Sequence, residues 1–372
     1  MNDSSTGANA APTISVLVPI YNVQAYLRES LDSLHAQSFT DFEVLCLDDG
    51  STDDSSAIAD EYAAADPRFR VVHKPNSGYG ATMNRGLDEA RGAWIALVEP
   101  DDVLEPDALE ALHALATAPD AGSSTPVDLA KADFWFYWSN PKRNKLAGII
   151  DEKWTQRTFD PVDEPDAFFA MPSIWSGIYR ADFLRENDIR FLETPGASFQ
   201  DLGFTFKVLA SARRARFTQR PVLHYRQDNE SSSINDPKKA FCVFPELSEI
   251  DARVAALPDG HRKRRLERIV YRMKYDNYVW NLGRLPKNAR ADFLHAAVDD
   301  LLAGRQSKMH DPQLFHAYQN ANLSFMLDDT ERFLDRFPEH PTRLQKIVYY
   351  TSVGGPLAAL DAAGLPVRSK KR

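Results

Sequence analysis

Two groups of neighbouring carboxylates, each following an apolar run, are the residues in this sequence best suited to chemistry. The stretch "VLCLDDGSTDD" contains Asp48 and Asp49, and "ALVEPDD" contains Glu99, Asp101 and Asp102. Like charges side by side repel, so both groups need an explanation. Carboxylate oxygens suit Mg²⁺ or Mn²⁺, and Mg²⁺ usually takes one or two protein carboxylates together with substrate phosphates. The alternative is that these aspartates only form turns and cap helices, where Asp is favoured.

The segments around these groups alternate between predicted strands and predicted helices. Short β-rich runs predict strands at residues 14–19, 42–47, 68–73 and 93–98. Apolar residues at helical spacing, with N-cap chemistry at some starts, predict helices at residues 25–37, 53–65, 80–92 and 105–117. Strands that alternate with helices indicate an α/β fold with a mainly parallel sheet flanked by helices.

Beyond residue 120 the pattern is weaker. It predicts strands at 132–138 and 221–226, a helix at 201–214, and mostly helices from about residue 240. We therefore expect four segments: a disordered tail at 1–12, an α/β domain at 13–235, a helical C-terminal region at 236–365, and a basic tail at 366–372.

The unusual residues follow the predicted strands, where open α/β sheets bind their ligands. Strand by strand, these residues are Pro19, Tyr21 and Asn22; Asp48 and Asp49; the loop containing Gly78; and Glu99, Asp101 and Asp102. The two acidic groups should therefore share one edge of the sheet. The loop that contains Gly78, "SGYGATMNRG", is not a GxGxxG turn, which disfavours a dinucleotide-binding fold. The motif GxxxxGK[ST] does not occur, which disfavours a nucleotide-binding P-loop.

Composition excludes several classes of protein. The formal net charge of −9 argues against a general nucleic-acid binder. Cys46 and Cys242 are far apart in the sequence, so a disulfide framework is not expected and a reducing cytoplasm fits. The sequence contains no apolar stretch near the ~20 residues that a membrane span needs, and the first dozen residues lack the pattern of a signal peptide.

Taken together, these motifs resemble the family 2 glycosyltransferases with the GT-A fold. The resemblance is carried by "SVLVPIYNVQAYLRESLDSLHAQSFTDFEVLCLDDGSTDDS", by "NSGYGATMNRGLDEARGAWIALVEPDD" and by "FQDLGF", and it covers roughly residues 13–230. It implies that the domain at 13–235 is a GT-A catalytic domain. It also implies transfer of a sugar from a nucleotide donor to an acceptor hydroxyl, with Mg²⁺ or Mn²⁺ as cofactor.

The resemblance assigns roles to individual residues. It implies that Asp201 is the catalytic base, that Asp102 with Asp101 binds the metal, and that Asp101 also serves the ribose. Glu99 and Gln200 depart from the family pattern, since an aspartate and a glutamate are usual there. The residues expected to contact the donor are Pro19, Tyr21, Asn22, Asp49, Gly78, Glu99, Asp101 and Arg226, with His224 and Tyr225 as further candidates.

Purely structural roles are the alternative for Asp201 and for a group of aromatic residues. From the sequence alone, Asp201 is also a good helix N-cap. Four aromatic residues could form a platform for an acceptor sugar, but packing of alternate members in the core is the favoured explanation; they are Trp135, Tyr137, Trp138 and Trp175.

The function expected from the resemblance is inverting transfer from a nucleotide diphosphate sugar, with UDP-sugar as the first choice. The acceptor would be a saccharide or a lipid-linked saccharide in cell-surface polysaccharide or glycolipid synthesis. Two alternatives remain open: a nucleotidyltransferase, which shares the sheet topology and the metal carboxylates, and a noncatalytic nucleotide-sugar-binding protein, which the departures at Glu99 and Gln200 suggest.

One further segment, residues 261–274 ("HRKRRLERIVYRMK"), is strongly basic in an acidic chain. Its apolar residues fall at helical spacing, so the helix could lie on an anionic membrane surface. The expected location is then the cytoplasm, with peripheral contact at the inner face of the membrane. The alternative is an ordinary surface helix that packs its apolar stripe on the protein.

Overall fold

The apolar runs of the sequence form the central strands of an extended mixed sheet. The structure is a computed structural model that describes residues 11–120, 125–229, 237–338 and 342–364. The chain divides into two compact units, Met1–Ser231 and Ser232–Arg372. Most of the predicted disordered tail, the expected domain boundary at 235/236 and the basic tail at 366–372 lie outside the described residues.

The first unit contains the sheet, which has nine strands among the described residues. The strands are β1 (Ile14–Ile20), β2 (Phe42–Asp48), β3 (Phe69–His73), β4 (Trp94–Leu97), β5 (Val103–Leu104), β6 (Leu129–Ser139), β7 (Lys142–Leu146), β8 (Gly177–Arg180) and β9 (Ala215–Arg226). The helices of this unit are α1 (Gln24–His35), α2 (Ser55–Ala65), α3 (Tyr79–Glu89), α4 (Ala108–Thr117), α5 (Ala181–Glu186) and α6 (Gln200–Ser211).

The sheet order is β3-β2-β1-β4-β8-β6-β9-β5, and β7 pairs with β6. The first four strands in this order are parallel, and β6 is parallel to β9. Every residue of β1 and β2 is buried, as expected of parallel strands that are covered on both faces. The predicted fold class, an α/β sheet with parallel strands flanked by helices, is confirmed.

The structure differs from the sequence prediction in the second half of the sheet. Strand β8 runs antiparallel between β4 and β6, and β5 is antiparallel to β9. The sequence pattern did not predict β5, β7 or β8. β5 and β8 are only two and four residues long, and β7 is polar and fully exposed, so none of the three carries the apolar pattern of a buried strand. Helix α3 ends at Glu89, before Gly92; a Cβ on Gly92 would lie 2.5 Å from the backbone nitrogen of Ser15.

The second unit is helical wherever the structure describes it in regular elements. Apart from short 3₁₀ turns, its helices are α7 (Val243–Ala255), α8 (His261–Arg284), α9 (Lys287–Gln306), α10 (Ala317–Asp328), α11 (Thr330–Arg336) and α12 (Arg343–Ala362). The mostly helical C-terminal region is therefore as predicted. No helix within the described ranges is long and apolar enough to cross a membrane.

Helix α8 contains the basic segment predicted to lie on a membrane, and the structure corrects that prediction. Its four apolar residues, Leu266, Ile269, Val270 and Met273, are at most 4% exposed. The Nζ of Lys274 donates to Asp251 and Asp300, and Arg272 donates to Asp276 at 2.7 Å. Because the stripe is already packed in protein and these charges are paired, 261–274 offers no apolar face to a bilayer, and the alternative of a packed surface helix describes it.

The start of α3 is fixed by a close approach between two backbones. A Cβ on Gly80 would lie 2.1 Å from the carbonyl oxygen of Leu192, a distance that only a shift of the main chain could relieve. This contact holds the segment around residue 192 against the loop that follows β3. Glycine at position 80 is therefore needed for close packing of two segments that border the carboxyl edge of the sheet.

We predict that Gly80→Ala destabilises the protein by about 1–3 kcal/mol, the usual cost of overpacking. The measurement is the midpoint of urea unfolding followed by circular dichroism. Gly283→Ala is the matched control: a Cβ there meets no atom within 4 Å, and alanine inside a helix is favoured by roughly 0.5–1 kcal/mol. Equal midpoints for Gly80→Ala and the wild type would contradict the close contact.

Candidate functional site

The carboxylate of Asp49 organises the loop between β3 and α3. Its Oδ1 accepts a hydrogen bond from the backbone N–H of Ser77 at 2.8 Å, and its Oδ2 accepts one from Gly78 at 3.0 Å. The Nζ of Lys74 also donates to this carboxylate. Gly78 has a φ of 89°, in the left-handed region that favours glycine, and a Cβ there would meet the Thr194–Gly196 backbone at 3.1–3.3 Å.

The neighbouring Asp48 has a purely internal set of partners. Its side chain accepts hydrogen bonds from the backbone N–H of Ser51 at 2.9 Å, the hydroxyl of Ser56 at 2.6 Å and Nδ1 of His73 at 2.8 Å. Burial alone would raise the pKa of Asp48, but the hydrogen bonds outweigh burial and the pKa is lowered. Asp48 therefore connects the end of β2 to β3 and α2. This is a structural role, as in the alternative that such aspartates only form turns and cap helices.

The end of β1 combines one exposed ring with one structural asparagine. Pro19 is buried within β1, and Tyr21 is 52% exposed. Asn22 has a φ of 49°, which asparagine tolerates, and its Oδ1 accepts from the backbone N–H of Thr52 at 2.8 Å. The side chain of Asn22 thus ties the loop after β1 to the loop after β2, while Tyr21 presents its ring to solvent beside them.

The acidic turn between β4 and β5 contains a fully buried carboxylate. Asp102 is 0% exposed, and its Oδ1 accepts from the backbone N–H of Arg226 at 2.9 Å. Its Oδ2 is buried without a hydrogen-bond partner among the described residues. Burial, followed by the negative charge of Asp101, raises the pKa of Asp102 well above its usual value. A buried carboxylate oxygen without a partner is costly unless a cation or a proton completes it.

Arg226 is the buried support of this turn. Its Nε donates to the carbonyl oxygen of Asp101 at 2.8 Å, and its Nη2 donates to Glu29. The guanidinium lies over the rings of Tyr26 and Tyr137, 4.8 and 5.0 Å from their centres, and the side chain is 1% exposed. These contacts favour a role in positioning the acidic turn, so direct contact of Arg226 with a donor stays a prediction.

Asp201 is the second residue of α6. The residue before this helix, Phe199, has a φ of 62°, and the backbone N–H of Leu202 donates to Asp201 Oδ1 at 2.9 Å. Burial raises the pKa of Asp201 to about 6, although backbone hydrogen bonds oppose the shift. A carboxyl group with this pKa is ionised at neutral pH and holds a proton more readily than an exposed aspartate.

Gln200 explains why a neutral residue can stand where a glutamate was expected. Its side chain is 2% exposed, and its Nε2 donates to Thr194 Oγ1 at 2.9 Å and to the carbonyl oxygen of Gly196 at 3.3 Å. A carboxylate has no hydrogen to donate, so it could accept from the Thr194 hydroxyl but could not bond to the carbonyl oxygen of Gly196. Gln200 therefore fixes the segment that packs on Gly78, and through it connects the start of α6 to the loop held by Asp49.

Electrostatics bring the predicted base and the acidic turn into one cluster. Burial raises the pKa of Glu99, the charges of Asp101 and Asp201 add to the shift, and a hydrogen bond from the Tyr79 hydroxyl at 2.6 Å opposes it; the resulting pKa is about 8. Tyr225 is influenced by the same carboxylates: burial raises its pKa, and the largest contributing charge is that of Asp102. Two residues of this site were not predicted from the sequence. Tyr79 lies in the Gly-rich loop, which is a signal that could have identified it, whereas nothing in the sequence indicates a role for Glu29 on α1.

The aromatic residues fall into different environments. Trp135 donates from Nε1 to Glu105 at 3.1 Å, and Arg143 stacks on Trp138. Trp175 lies against Tyr225, with ring centres 4.8 Å apart, and its Nε1 is buried without a partner within the described chain. His224 lies 3.0 Å from Glu105. These contacts make Trp135 and Trp138 structural and leave Trp175, beside Tyr225, next to the acidic cluster.

The carboxylates of Asp102 and Asp101 fit a divalent cation whose other ligands come from a substrate. No group of three or more His, Cys, Asp or Glu side chains in the described part of the chain is arranged to hold a metal by itself. The unpartnered Oδ2 of Asp102, with Asp101 beside it, provides the one or two carboxylates that Mg²⁺ and Mn²⁺ usually take from a protein when phosphates supply other ligands.

Comparison with known proteins gives consistent matches. The sequence model of "Glycosyl transferase family 2" matches residues 15–182. The Bacillus subtilis (strain 168) protein named "Putative glycosyltransferase EpsH" is 30% identical over 282 residues, which are 72% of this chain and 74% of that protein.

Two solved structures are similar in fold. The S. aureus TarS 1-349 complex with UDP-GlcNAc has a TM-score of 0.65 at 18% identity, covering 96% of this chain and 93% of that one. The Pyrobaculum calidifontis mannosyltransferase PcManGT, in complex with GDP-Man and Mn²⁺, has a TM-score of 0.51 at 16% identity, covering 88% and 86%.

We predict that Glu99 makes the stability of the protein depend on pH. Its pKa is raised in the folded state, so the stability it contributes is fully present below about pH 4.5 and is lost as the pH rises to about 8. Glu99→Gln keeps an oxygen acceptor for Tyr79 but removes the titration. The urea midpoint of the wild type should therefore fall relative to that of the variant between pH 5 and pH 8.

The control for this experiment is Glu186→Gln, which changes an exposed residue of α5 by the same chemistry. Its midpoint should follow that of the wild type at every pH. Parallel curves for Glu99→Gln and the wild type would show that Glu99 titrates as an ordinary exposed carboxyl group.

Proposed function

The chain belongs to glycosyltransferase family 2, and on that basis we propose that it transfers a sugar from a UDP-sugar to an acceptor hydroxyl with inversion at the anomeric carbon. The observation that carries the proposal is the shared cluster of Asp201 and the acidic turn, in which the charge of Asp201 raises the pKa of Glu99. A base and a diphosphate-binding group must be neighbours for transfer between bound substrates.

Asp201 acts as the general base. A base is most effective when its pKa lies near the working pH, and burial brings that of Asp201 to about 6. It accepts the proton of the acceptor hydroxyl while the hydroxyl oxygen forms a bond to the anomeric carbon. The bond from that carbon to the diphosphate oxygen breaks, and the nucleoside diphosphate leaves with the electron pair. One base and one in-line displacement give inversion.

The donor nucleotide is bound at the carboxyl ends of β1 and β2. Tyr21 offers an exposed ring on which a base can stack, next to Pro19 and to the loop fastened by Asn22. We call the space between these residues and the loop before α3 the proposed donor recess; on its other side the backbone N–H of Gly78 donates to Asp49. UDP is the nucleotide of choice because the TarS structure, similar in fold, is a complex with UDP-GlcNAc.

Asp102, with Asp101, is the site for Mg²⁺ or Mn²⁺. The support is the unpartnered, buried Oδ2 of Asp102, and the fold relative PcManGT was solved with Mn²⁺ and GDP-Man. A bound divalent cation would supply positive charge that offsets the charge of the departing diphosphate. Arg226 holds Asp102 and Asp101 in place from the protein side.

The acceptor that we propose is a saccharide or a lipid-linked saccharide used in making cell-surface polysaccharide or glycolipid, in the cytoplasm. The support is family membership together with the half-buried ring of Tyr225, which lies beside the cluster and is backed by the buried Trp175. Aromatic rings are suitable surfaces for the apolar faces of sugars.

The two alternatives predict different products. A nucleotidyltransferase releases pyrophosphate, whereas a glycosyltransferase releases a nucleoside diphosphate. A noncatalytic binding protein releases neither. Incubation with UDP-sugars, divalent metal and a panel of saccharide acceptors, followed by chromatography of the nucleotide products, should show UDP. Pyrophosphate as the product, or no product with any donor, would contradict the proposed function.

We predict that Asp201→Asn lowers turnover by about 10²–10⁴-fold, the usual contribution of a positioned base, with donor affinity nearly unchanged. Asparagine keeps an oxygen for the backbone N–H of Leu202, so the helix start should be retained. In the wild type, kcat should fall as the pH drops below about 6, because Asp201 becomes protonated. Activity within about threefold of the wild type would rule out the base.

We also predict that Asp102→Asn weakens Mn²⁺-dependent binding of UDP by at least 10–100-fold, since even outer contacts of metal ligands are typically worth that much. Titration calorimetry of UDP with Mn²⁺ and with chelator measures the difference. The asparagine can still accept from Arg226, and Asp182→Asn, at an exposed position of α5, is the matched control. Equal Mn²⁺ dependence in Asp102→Asn and the wild type would remove Asp102 from the metal site.

A further inference from the structure

Strand β7 carries three basic residues and no acidic one. Lys142, Arg143 and Lys145 belong to a strand of five residues, all of them exposed, in a chain whose formal net charge is −9. Within the part of the chain that the structure describes, none of the three forms a salt bridge. The strand therefore presents positive charge that is not paired with a described carboxylate.

The register of the sheet places two of these charges on the face that leads to the acidic cluster. Residues directly opposite each other on neighbouring strands point to the same face. Phe136 of β6 lies opposite Tyr225 of β9 on one side and opposite Lys145 of β7 on the other. We call Tyr225, Phe136 and Lys145 the cross-strand row. Because faces alternate along a strand, Arg143 shares the face of the row and Lys142 points to the opposite face.

The row joins the acidic cluster at Tyr225. Burial raises the pKa of Tyr225, and the charge of Asp102, followed by those of the other carboxylates of the cluster, adds to the shift. The half-buried ring of Phe136 continues this surface, with its centre 6.3 Å from that of Tyr225. Neighbouring strands lie about 4.8 Å apart, so the backbone of Lys145 is roughly 10 Å from that of Tyr225.

Arg143 reinforces the positive end of the row. Its guanidinium lies over the ring of Trp138, 4.0 Å from the ring centre, and the two residues are a cross-strand pair. Stacking on an aromatic face holds a guanidinium in place while its N–H groups remain able to donate in the plane. The row thus runs from carboxylates, across aromatic rings, to two cations on one face.

We propose that the cross-strand row binds an acceptor saccharide that carries negative charge, as carboxylate or phosphate, next to its accepting sugar. The accepting sugar lies at Tyr225, beside the acidic cluster, and the following sugar lies on Phe136, since aromatic rings suit the apolar faces of sugars. The anionic group is bound by Lys145 and Arg143. The carboxylates of the cluster repel an anion, so an anionic group must be held away from them, at the end of the row where the positive charges are.

The inference rests on the proposed function, because the row is an acceptor site only if the acidic cluster performs the transfer. Its test measures binding without turnover, so the two proposals fail in different ways. Charged saccharides that bind the row without any release of UDP would remove the transfer and keep the row. Release of UDP with acceptors that bind independently of the row would remove the row and keep the transfer.

The test is titration calorimetry of the full chain, at physiological salt, with three probes of equal length: a neutral maltooligosaccharide, the same oligosaccharide carrying phosphate, and an oligogalacturonate. At least one charged probe should bind about fivefold or more tightly than the neutral one, and the preferred probe distinguishes phosphate from carboxylate. Its affinity should fall as salt is raised. Lys145→Glu should weaken its binding at least about fivefold, because an exposed ion pair contributes up to about that factor and reversal adds repulsion.

The matched control is Lys142→Glu, which makes the same change of charge on the same strand but on the opposite face. It should stay within about twofold of the wild type. Phe136→Leu should weaken binding of the preferred probe by about 2–10-fold, the usual contribution of an aromatic contact, and Phe136→Tyr should restore it.

Three results would overturn the proposal. The first is equal weakening by Lys145→Glu and Lys142→Glu, which is expected if the charges of β7 only protect the edge of the sheet from pairing with other chains. The second is equal affinity for the neutral and the charged probes, and the third is no binding of either charged probe.

Discussion

The candidate site depends on the unequal environment of the two oxygens of Asp102. One oxygen is fixed by the backbone of Arg226, and the other is buried without a hydrogen-bond partner among the residues described. The contact with Arg226 sets the position of the carboxylate, while burial and then the charge of Asp101 raise its pKa well above the usual value. A buried carboxylate in this state gains from a cation. In the proposed function, the cost of this buried turn is offset once metal and diphosphate bind to it.

Distant parts of the chain are needed to keep that turn in place. Arg226, at the end of β9, holds the turn that follows β4, and it is itself held by Glu29 on α1. On the other side, Gln200 at the start of α6 fixes the segment against which Gly78 packs. The proposed base and the acidic turn are linked electrostatically through Glu99, because burial and, after it, the charges of Asp101 and Asp201 raise the pKa of Glu99 to about 8.

Much of the first half of this arrangement could be predicted from the sequence. Continuous apolar runs identify β1, β2 and β4 because parallel strands are buried on both faces, and the carboxyl ends of such strands meet at one edge. The helix at residues 261–274 shows the limit of such patterns, because the spacing of Leu266 and Met273 fits a packed helix and a membrane-bound one equally well. Only burial separates the two. The sequence likewise could not reveal that Arg226 is enclosed between Tyr26 and Tyr137, since contacts between residues so distant in sequence depend on the fold.

Our central proposal is that Asp102 binds a metal only when a nucleotide diphosphate is also bound. Crystals of the chain soaked with Mn²⁺, with and without UDP, test this directly through anomalous scattering of manganese. The account predicts a manganese peak beside Oδ2 of Asp102 that is strong with UDP and weak or absent without it. A peak at another group of residues, or UDP bound in the recess with no manganese at Asp102, would contradict it.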